Sequence, residues 1–206
     1  MITEPQVHKK GGDEMKNLFR MGALITFVLI AACAGESQYM RKSSPPTGPP
    51  PDKALVYFMR PSGLGFAIHF QIYDRYDLIG LSQAKSYFAY PCDPGKHLFI
   101  GIAENKRGVE ADLEAGKSYF IITGVHMGGW KARMSFVPVT RGSEFWDKVE
   151  AYKKELNFVV PVKGEIDKWV AERETKVQAK IAEIIAYLGT PEGKQYVSTL
   201  SKEDGR

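Results

Sequence analysis

Alternation of large apolar residues with smaller or polar ones is the feature that most restricts the fold of this chain. Every second residue from Phe66 to Ile72 is a large apolar one, which is typical of a strand with one buried face. Seven further short runs of this kind cover 54–60, 77–81, 86–90, 97–104, 109–113, 118–125 and 133–139. Eight short strands so close in sequence predict a mainly β fold over 53–142, an antiparallel β-sandwich of immunoglobulin-like or transthyretin-like form.

Turn sequences separate these runs and support the prediction. Proline presets the φ angle of a turn, and glycine accepts a positive φ angle. The four clearest turns are Pro61-Ser62-Gly63, Asp93-Pro94-Gly95, Glu114-Ala115-Gly116 and Met127-Gly128-Gly129.

After residue 142 the apolar spacing becomes that of helices. Ser143 is placed to cap a helix that ends near residue 156, and Thr190 is placed to cap a short last helix. Between them, a long helix is predicted over 165–188 because its apolar residues share one face. Those residues are Ile166, Val170, Val177, Ile181, Ile184, Ile185 and Leu188. We therefore expect residues 143–206 to form a helical carboxy-terminal extension whose apolar stripe packs against the sandwich.

The amino terminus has the parts of an export signal. An uncharged run, 21–32, follows Lys16 and Arg20 and stands directly before Cys33. The run is shorter than the ~20 residues of a transmembrane helix, and a basic flank before such a run is typical of a signal peptide, here residues 1–32. Its last residues, Ile30-Ala31-Ala32-Cys33, resemble the lipobox of bacterial lipoproteins. This resemblance implies that Cys33 becomes the mature amino terminus and carries diacylglyceryl and palmitate groups.

Two further expectations concern this region. Translation is expected to begin at Met15, because residues 1–14 include three acidic residues and have no evident role in export. Similarity to the sorting pattern of Gram-negative lipoproteins implies the periplasmic face of the outer membrane, because Ala34 rather than aspartate follows Cys33. Retention in the inner membrane is the alternative location.

Residues 33–52 are expected to be the lipidated cysteine and a tether. Five of the twelve prolines lie between 34 and 52, and the segment has no apolar periodicity. A polyproline II helix over 43–51 would hold the domain roughly 28 Å from the lipid surface.

Composition excludes several classes of protein. Lysine and arginine number 28 against 24 aspartate and glutamate, and a formal net charge of +4 does not indicate a nucleic-acid-binding protein. Two cysteines exclude a disulfide-rich scaffold. With Cys33 lipidated, Cys92 is the lone thiol, which we interpret as a small buried residue, with a reactive or dimerising thiol as alternatives.

Several peptides of the strand region resemble a known family. The residues are Ala54-Leu55-Val56-Tyr57-Phe58-Met59-Arg60-Pro61, Ser86-Tyr87-Phe88, Pro94-Gly95-Lys96-His97 and Leu113-Glu114-Ala115-Gly116-Lys117-Ser118-Tyr119-Phe120. In this order and spacing they are similar to the motifs of domain of unknown function family twenty-eight forty-six, over about 53–139. The family is bacterial and its members are frequently lipoproteins. The resemblance implies a fold and a location but no catalytic residue, because the family has no established activity.

No sequence motif for catalysis or metal binding is complete. His69, His97 and His126 stand singly, without the close spacing of a local metal site. The Gly-x-Ser-x-Gly motif of a hydrolase is missing, and Gly63-Leu64-Gly65 lacks the lysine and helix of a phosphate loop. We therefore expect no catalytic residue, metal or cofactor, and Cys33 as the single functional position.

Three functional hypotheses follow. The first is a membrane-anchored envelope lipoprotein that serves as a non-enzymatic binding or structural module facing the periplasm. The second is an envelope hydrolase or metal-dependent enzyme assembled from the three histidines and from carboxylates such as Asp74, Asp77 or Asp93. The third is a subunit that docks another envelope protein through the long carboxy-terminal helix.

Overall fold

A computed structural model describes residues 37–127 and 132–206. The signal peptide, Cys33 and the turn glycines Gly128 and Gly129 lie outside the described residues. Within them, the protein is mainly β, with two mixed sheets and a few helices.

The strands and helices follow one another in this order. The strands are β1 (Met40–Lys42), β2 (Ala54–Arg60), β3 (Phe70–Asp74), β4 (Asp77–Ser82), β5 (Ser86–Cys92), β6 (Gly95–Ile102), β7 (Lys106–Leu113), β8 (Ser118–Met127), β9 (Ala132–Pro138), β10 (Asn157–Pro161) and β11 (Val197–Leu200). The helices are α1 (Val149–Glu155), α2 (Lys163–Ala171), α3 (Glu174–Gly189) and α4 (Pro191–Lys194), with short 3₁₀ helices at Trp146–Lys148 and Lys202–Asp204.

The strands divide into a six-stranded and a five-stranded sheet. The first has the order β1-β10-β5-β2-β8-β9 and the second β11-β7-β6-β3-β4. The prediction of purely antiparallel pairing is wrong, because β2 with β8, β10 with β5 and β11 with β7 are parallel pairs. Parallel neighbours need a long connection, and here the chain crosses to the other sheet between β2 and β8.

The apolar faces of the two sheets share one core. Phe58 of the six-stranded sheet stacks on its neighbour Phe88, with ring centroids 5.0 Å apart. It also meets the edge of Phe99, a residue of the five-stranded sheet, at 5.3 Å. All three rings are at most 1% exposed. The core therefore joins the sheets through aromatic contacts, which add specific geometry to the burial of area.

A helical segment covers each outer face. Val149, in α1, packs with Tyr57 and Phe120 on the six-stranded sheet. On the five-stranded sheet, Ile184 of α3 is fully buried against Tyr73 and Ile100. The expected packing of the long apolar stripe against the β domain is therefore observed. No helix within 37–127 or 132–206 is long and apolar enough to cross a membrane.

Part of the predicted tether, residues 40–42, belongs to the folded domain. Met40–Lys42 pairs antiparallel with β10, and Met40 is 1% exposed within the shared core. Its sulfur accepts a hydrogen bond from the backbone N–H of Leu81 over 3.5 Å. The pairing of β1 and the burial of Met40 attach the chain at the sheet edge, and the prolines that follow lie in the loop between β1 and β2.

The carboxy-terminal region is part of both sheets rather than a helical extension alone. Strand β10 lies between β1 and β5, and β11 pairs with β7. The predicted helix over 165–188 is two helices that meet at Arg173, where φ is −127° and ψ is 2°. Ser143 does not cap α1, which begins at Val149 without a side-chain cap. The predicted cap at Thr190 is confirmed, since its hydroxyl accepts from the N–H of Gly193.

One predicted strand is shorter than the alternation indicates. The run 66–73 becomes a strand only at Phe70. Phe66 is 65% exposed and lies in the turn that precedes the strand. The alternating pattern predicted a strand here, but the backbone carbonyls of Leu64, Gly65 and Ile68 bind the buried Arg60 instead of a neighbouring strand.

Candidate functional site

A half-buried histidine and a buried aspartate meet where β3 and β6 lie side by side. Nδ1 of His97 lies 2.7 Å from Oδ2 of Asp74, and the two side chains are 14% and 11% exposed. Nε2 of the ring lies 2.8 Å from the backbone oxygen of Asp93. The hydroxyl of Tyr90 also donates to Oδ2 of Asp74, over 3.4 Å.

Both ring nitrogens of His97 face hydrogen-bond acceptors, and these contacts determine which protonation state and which chemical role suit the ring. A carboxylate and a carbonyl oxygen only accept hydrogen bonds, so the protonated ring, which donates from both nitrogens, is the form that satisfies both partners. The hydrogen bond to Asp74 accordingly raises the pKa of His97. A general base needs a ring nitrogen with a free lone pair. This pair therefore ties β3 to the turn before β6 and has no free nitrogen for proton abstraction.

Cys92 lies close to this pair and is not poised for reaction. The residue is 5% exposed, and its sulfur is 3.9 Å from the backbone oxygen of Ala54. Burial, followed by the charges of Asp74 and Asp93, raises the pKa of the thiol to about 12. A reactive cysteine requires a lowered pKa and access, so the structure supports the interpretation as a small buried residue.

The other two histidines lie elsewhere. His69 precedes β3 and lines a surface cleft that does not include His97. His126 is an exposed residue of β8. Asp77 pairs in register with Asp74 on the neighbouring strand. In the described part of the chain, no three His, Cys, Asp or Glu residues form a group that could hold a metal ion. The structure therefore brings His97 together with Asp74 but leaves His69 and His126 elsewhere, so the three histidines of the enzyme hypothesis do not share one site.

A cleft of about 340 Å³ opens where the described chain begins. We call it the N-terminal cleft. Its lining residues are Ser37, Gln38, Tyr39, His69, Gln71, Leu78, Leu81, Ile166 and Trp169. Its size falls near the lower end of the ~300–1,000 Å³ range of small-molecule sites, and its mix of apolar walls with a few polar groups is typical of them.

The polar groups of the N-terminal cleft are uncharged. Partial burial, and then the charge of Arg60, lower the pKa of His69, which favours the neutral imidazole. The side-chain oxygen of Gln71 accepts a hydrogen bond from the hydroxyl of Tyr73 over 3.0 Å. Among residues 37–127 and 132–206, no carboxylate or ammonium group lines the cleft, which suits it to an apolar or uncharged group.

Two larger clefts have charged linings. The first, of about 570 Å³, lies beside the end of α3, and its Glu110 and Asp112 already pair with Lys194 and Lys202 at 2.5 and 3.7 Å. The second, of about 460 Å³, includes Arg133 with other basic and aromatic residues. Lys106 and Arg107 of the second cleft lie over the rings of Tyr187 and Tyr196. Because these charges already have partners within the chain and the N-terminal cleft has an uncharged lining, we favour the N-terminal cleft despite its smaller volume.

A buried arginine next to the N-terminal cleft holds the loop between β2 and β3. Nη1 of Arg60 donates to the backbone oxygens of Ile68 and Ser82 at 2.6 and 3.3 Å. Nη2 donates to those of Leu64 and Gly65 at 2.8 and 2.9 Å. The guanidinium carbon lies 4.9 Å from the centre of the Phe70 ring. Arg60 is fully buried, and burial lowers its pKa to about 10.

The sequence does not single out the residues of this region. Arg60 is only one basic residue among many, and the cleft residues Tyr39 and Trp169 are 130 positions apart. A local signal exists, because a positive charge ends a fully buried strand and Pro61-Ser62-Gly63 follows it. The contacts of Arg60 with the loop form only when the chain crosses from one sheet to the other, and the alternating pattern does not specify that crossing.

Comparisons with known proteins add no relative: no family model matches the chain, and no curated protein or solved structure matches it. The resemblance to domain of unknown function family twenty-eight forty-six stays a prediction. Function must therefore be argued from the geometry and from the sequence of the amino terminus.

Proposed function

We propose that this chain is a lipid-anchored protein of the bacterial cell envelope, attached through Cys33 to the periplasmic face of the outer membrane. Its two sheets form a β-sandwich related to the immunoglobulin-like and transthyretin-like classes. The domain acts as a non-enzymatic binding module that takes an apolar or uncharged ligand in the N-terminal cleft. The resemblance to domain of unknown function family twenty-eight forty-six is part of this proposal.

The N-terminal cleft is the observation that carries the binding role. Leu78, Ile166 and Trp169 give it apolar and aromatic walls, while His69 and Gln71 supply hydrogen-bonding groups. Such a combination fixes the orientation of a small ligand whose surface is mostly apolar.

The Asp74–His97 pair supports a role without catalysis. It is the arrangement on which the enzyme hypothesis depends most, and both nitrogens of its imidazole are occupied by acceptors. The nearby Cys92 has a raised pKa, so the pair has no activated nucleophile beside it. These contacts favour binding over hydrolysis.

Packing of α3 argues against the docking hypothesis. Ile181, Ile184 and Leu188 are at most 2% exposed and contact the five-stranded sheet. A helix that docks a partner needs an accessible apolar face. These residues of the predicted apolar stripe are already buried against the protein's own sheet.

Mass spectrometry of the mature amino-terminal peptide tests the anchor. We expect a peptide that begins at Cys33 and carries a diacylglyceryl group and an amide-linked acyl chain. Cys33→Ala should abolish both the lipid and the cleavage before residue 33. An unmodified Cys33 in protein from its native envelope would contradict the proposal.

Fluorescence titration with N-undecyl dansyl amide, an uncharged probe with an apolar chain, tests the cleft. Binding next to Trp169 should give energy transfer from tryptophan to the dansyl group. Leu78→Trp should fill the cleft and weaken binding, whereas Ile185→Trp, in the larger cleft beside α3, should leave it unchanged. Equal binding by both variants would show that the N-terminal cleft is not the site.

A further inference from the structure

Two apolar side chains project into solvent from the loop between β2 and β3. Leu64 is 50% exposed and Phe66 is 65% exposed. Phe66 is the most exposed of the large hydrophobic residues in the described part of the chain. Together they form an apolar tip, which we define as Leu64–Phe66.

The apolar tip is held in place by internal contacts. Arg60 binds the backbone oxygens of Leu64 and Gly65 on one side and of Ile68 on the other. The N–H of Ile68 donates to the oxygen of Gly65 over 2.9 Å. Gly65 has a φ of +61°, a conformation that glycine adopts without strain. These contacts direct carbonyls inward and leave the two apolar side chains outside.

The segment that carries the apolar tip has no acidic residue and lies beside a lysine. Residues 60–70 contain no aspartate or glutamate. The exposed Lys85 donates its backbone N–H to the oxygen of Ser62 over 3.4 Å, and its Cε lies 3.6 Å from the place where a Cβ would stand on Gly63. An apolar tip beside a cation is the combination that favours the surface of an anionic bilayer.

Chain length limits how far a lipid on Cys33 can lie from the first described residue. Cys33 precedes Ser37 by four residues, which span at most about 14 Å when fully extended. Ser37 and His69 line the same N-terminal cleft, and His69 follows Phe66 by three residues. Because β1 attaches the chain at Met40, the proline-rich segment cannot lift the domain away from a lipid at Cys33.

We infer that the apolar tip inserts Leu64 and Phe66 into the headgroup region of the bilayer that holds the lipidated Cys33. The domain then rests on the membrane by two contacts, the lipid chains and the loop, rather than hanging from a flexible tether. The inference rests on the proposed anchoring, and the lipid bilayer is the partner that it assigns to the apolar tip.

An environment-sensitive label at the apolar tip tests the insertion. Full-length lipidated protein with Cys92→Ala and Phe66→Cys is labelled with nitrobenzoxadiazole and reconstituted in vesicles of phosphatidylethanolamine and phosphatidylglycerol. The matched control carries the label at Glu183→Cys, on the exposed side of α3. We expect a blue shift at position 66 and quenching by headgroup-level nitroxide lipids of about twofold or more, with neither change at position 183.

The possible outcomes separate the loop from the anchor. Lipid on Cys33, together with a label at 66 that stays in water on vesicle-bound protein, would overturn the insertion and leave the anchoring intact. A label at 66 that becomes protected only when another envelope protein is added would also overturn it, because the occupant would then be a protein. An unlipidated Cys33 would overturn the anchoring proposal and the insertion with it.

A second variant measures the same contact without a label. Leu64→Ser with Phe66→Ser, in the Cys33→Ala full-length chain, should lower binding to anionic vesicles several-fold relative to Cys33→Ala alone. Circular dichroism and thermal unfolding establish whether the fold is retained, since both side chains are exposed. Unchanged vesicle binding by a folded variant would overturn the insertion.

Discussion

His97 and Asp74 form an ion pair between neighbouring strands, with Nδ1 and Oδ2 separated by 2.7 Å. The second nitrogen of the ring binds the backbone oxygen of Asp93, so the imidazolium connects the end of β3 to the turn before β6. The same residues that suggest an active site in the sequence thus act as a cross-link in the structure.

The first prediction concerns the pH dependence of stability. The folded pKa of His97 is raised above its ordinary value of about 6.5. Its stabilising effect is therefore complete below about pH 6.5 and is lost as the pH rises through the folded pKa. Urea unfolding should show that His97→Gln costs about 1.5–3 kcal/mol near pH 5.5 and less near pH 9. His126→Gln, an exposed control, should change little, and a pH-independent cost for His97→Gln would contradict the assignment.

The second prediction concerns the buried arginine. Arg60→Met should lower the free energy of unfolding by at least about 2 kcal/mol, because four backbone oxygens lose a charged donor. Hydrogen exchange at the amide of Ile68 should accelerate as the loop loosens. Arg133→Met, at an exposed position of β9, is the matched control. Unchanged exchange in Arg60→Met would show that the arginine does not hold the loop.

Prediction from sequence was accurate where the local pattern decides the structure. Strand 54–60 was predicted with the bounds that β2 has, since both of its faces are apolar and proline ends it. The cap at Thr190 also follows from local chemistry, because the hydroxyl reaches an amide three residues ahead. These features need no knowledge of the rest of the fold.

Features that depend on distant contacts were not predictable. The proline-rich segment gave no sign that Met40 fills a place in the core, and β11 is a short strand that exists only beside β7. Phe66 follows the alternation and yet is exposed, because Arg60 turns its backbone before β3 begins. The N-terminal cleft was missed for the same reason, since α2 and the first described residues meet there only after folding.

The third prediction tests the covered face of α3. Ile184→Ala should lower the free energy of unfolding by about 2–5 kcal/mol, because the side chain is fully buried against the five-stranded sheet. Glu183→Ala, on the next and exposed position, should have an effect within about 0.5 kcal/mol. Chemical denaturation of both variants measures the difference. Equal stabilities would indicate that α3 is not packed on the sheet and would revive the docking hypothesis.

The fourth prediction concerns the reactivity of the thiol. Because burial raises the pKa of Cys92 to about 12, the folded protein should react with Ellman's reagent near pH 8 far more slowly than the protein in denaturant. Rate measurements with and without guanidinium chloride provide the test, with Glu183→Cys as an exposed thiol in the same chain. Comparable rates for Cys92 and for the introduced thiol would restore the alternative of a reactive or dimerising cysteine.

The fifth prediction compares two helical glycines that differ in the space available for a Cβ atom. A Cβ on Gly193 would overlap the backbone oxygen of Tyr187, whereas one on Gly164 would meet nothing within 4 Å. Gly193→Ala should therefore force α4 away from the end of α3 and destabilise the protein by about 1–3 kcal/mol. Gly164→Ala, near the start of α2, should be neutral or stabilise by up to about 1 kcal/mol, because alanine favours the helix. Thermal unfolding of both variants measures the two effects, and a stabilising Gly193→Ala would contradict the close approach of the two helices.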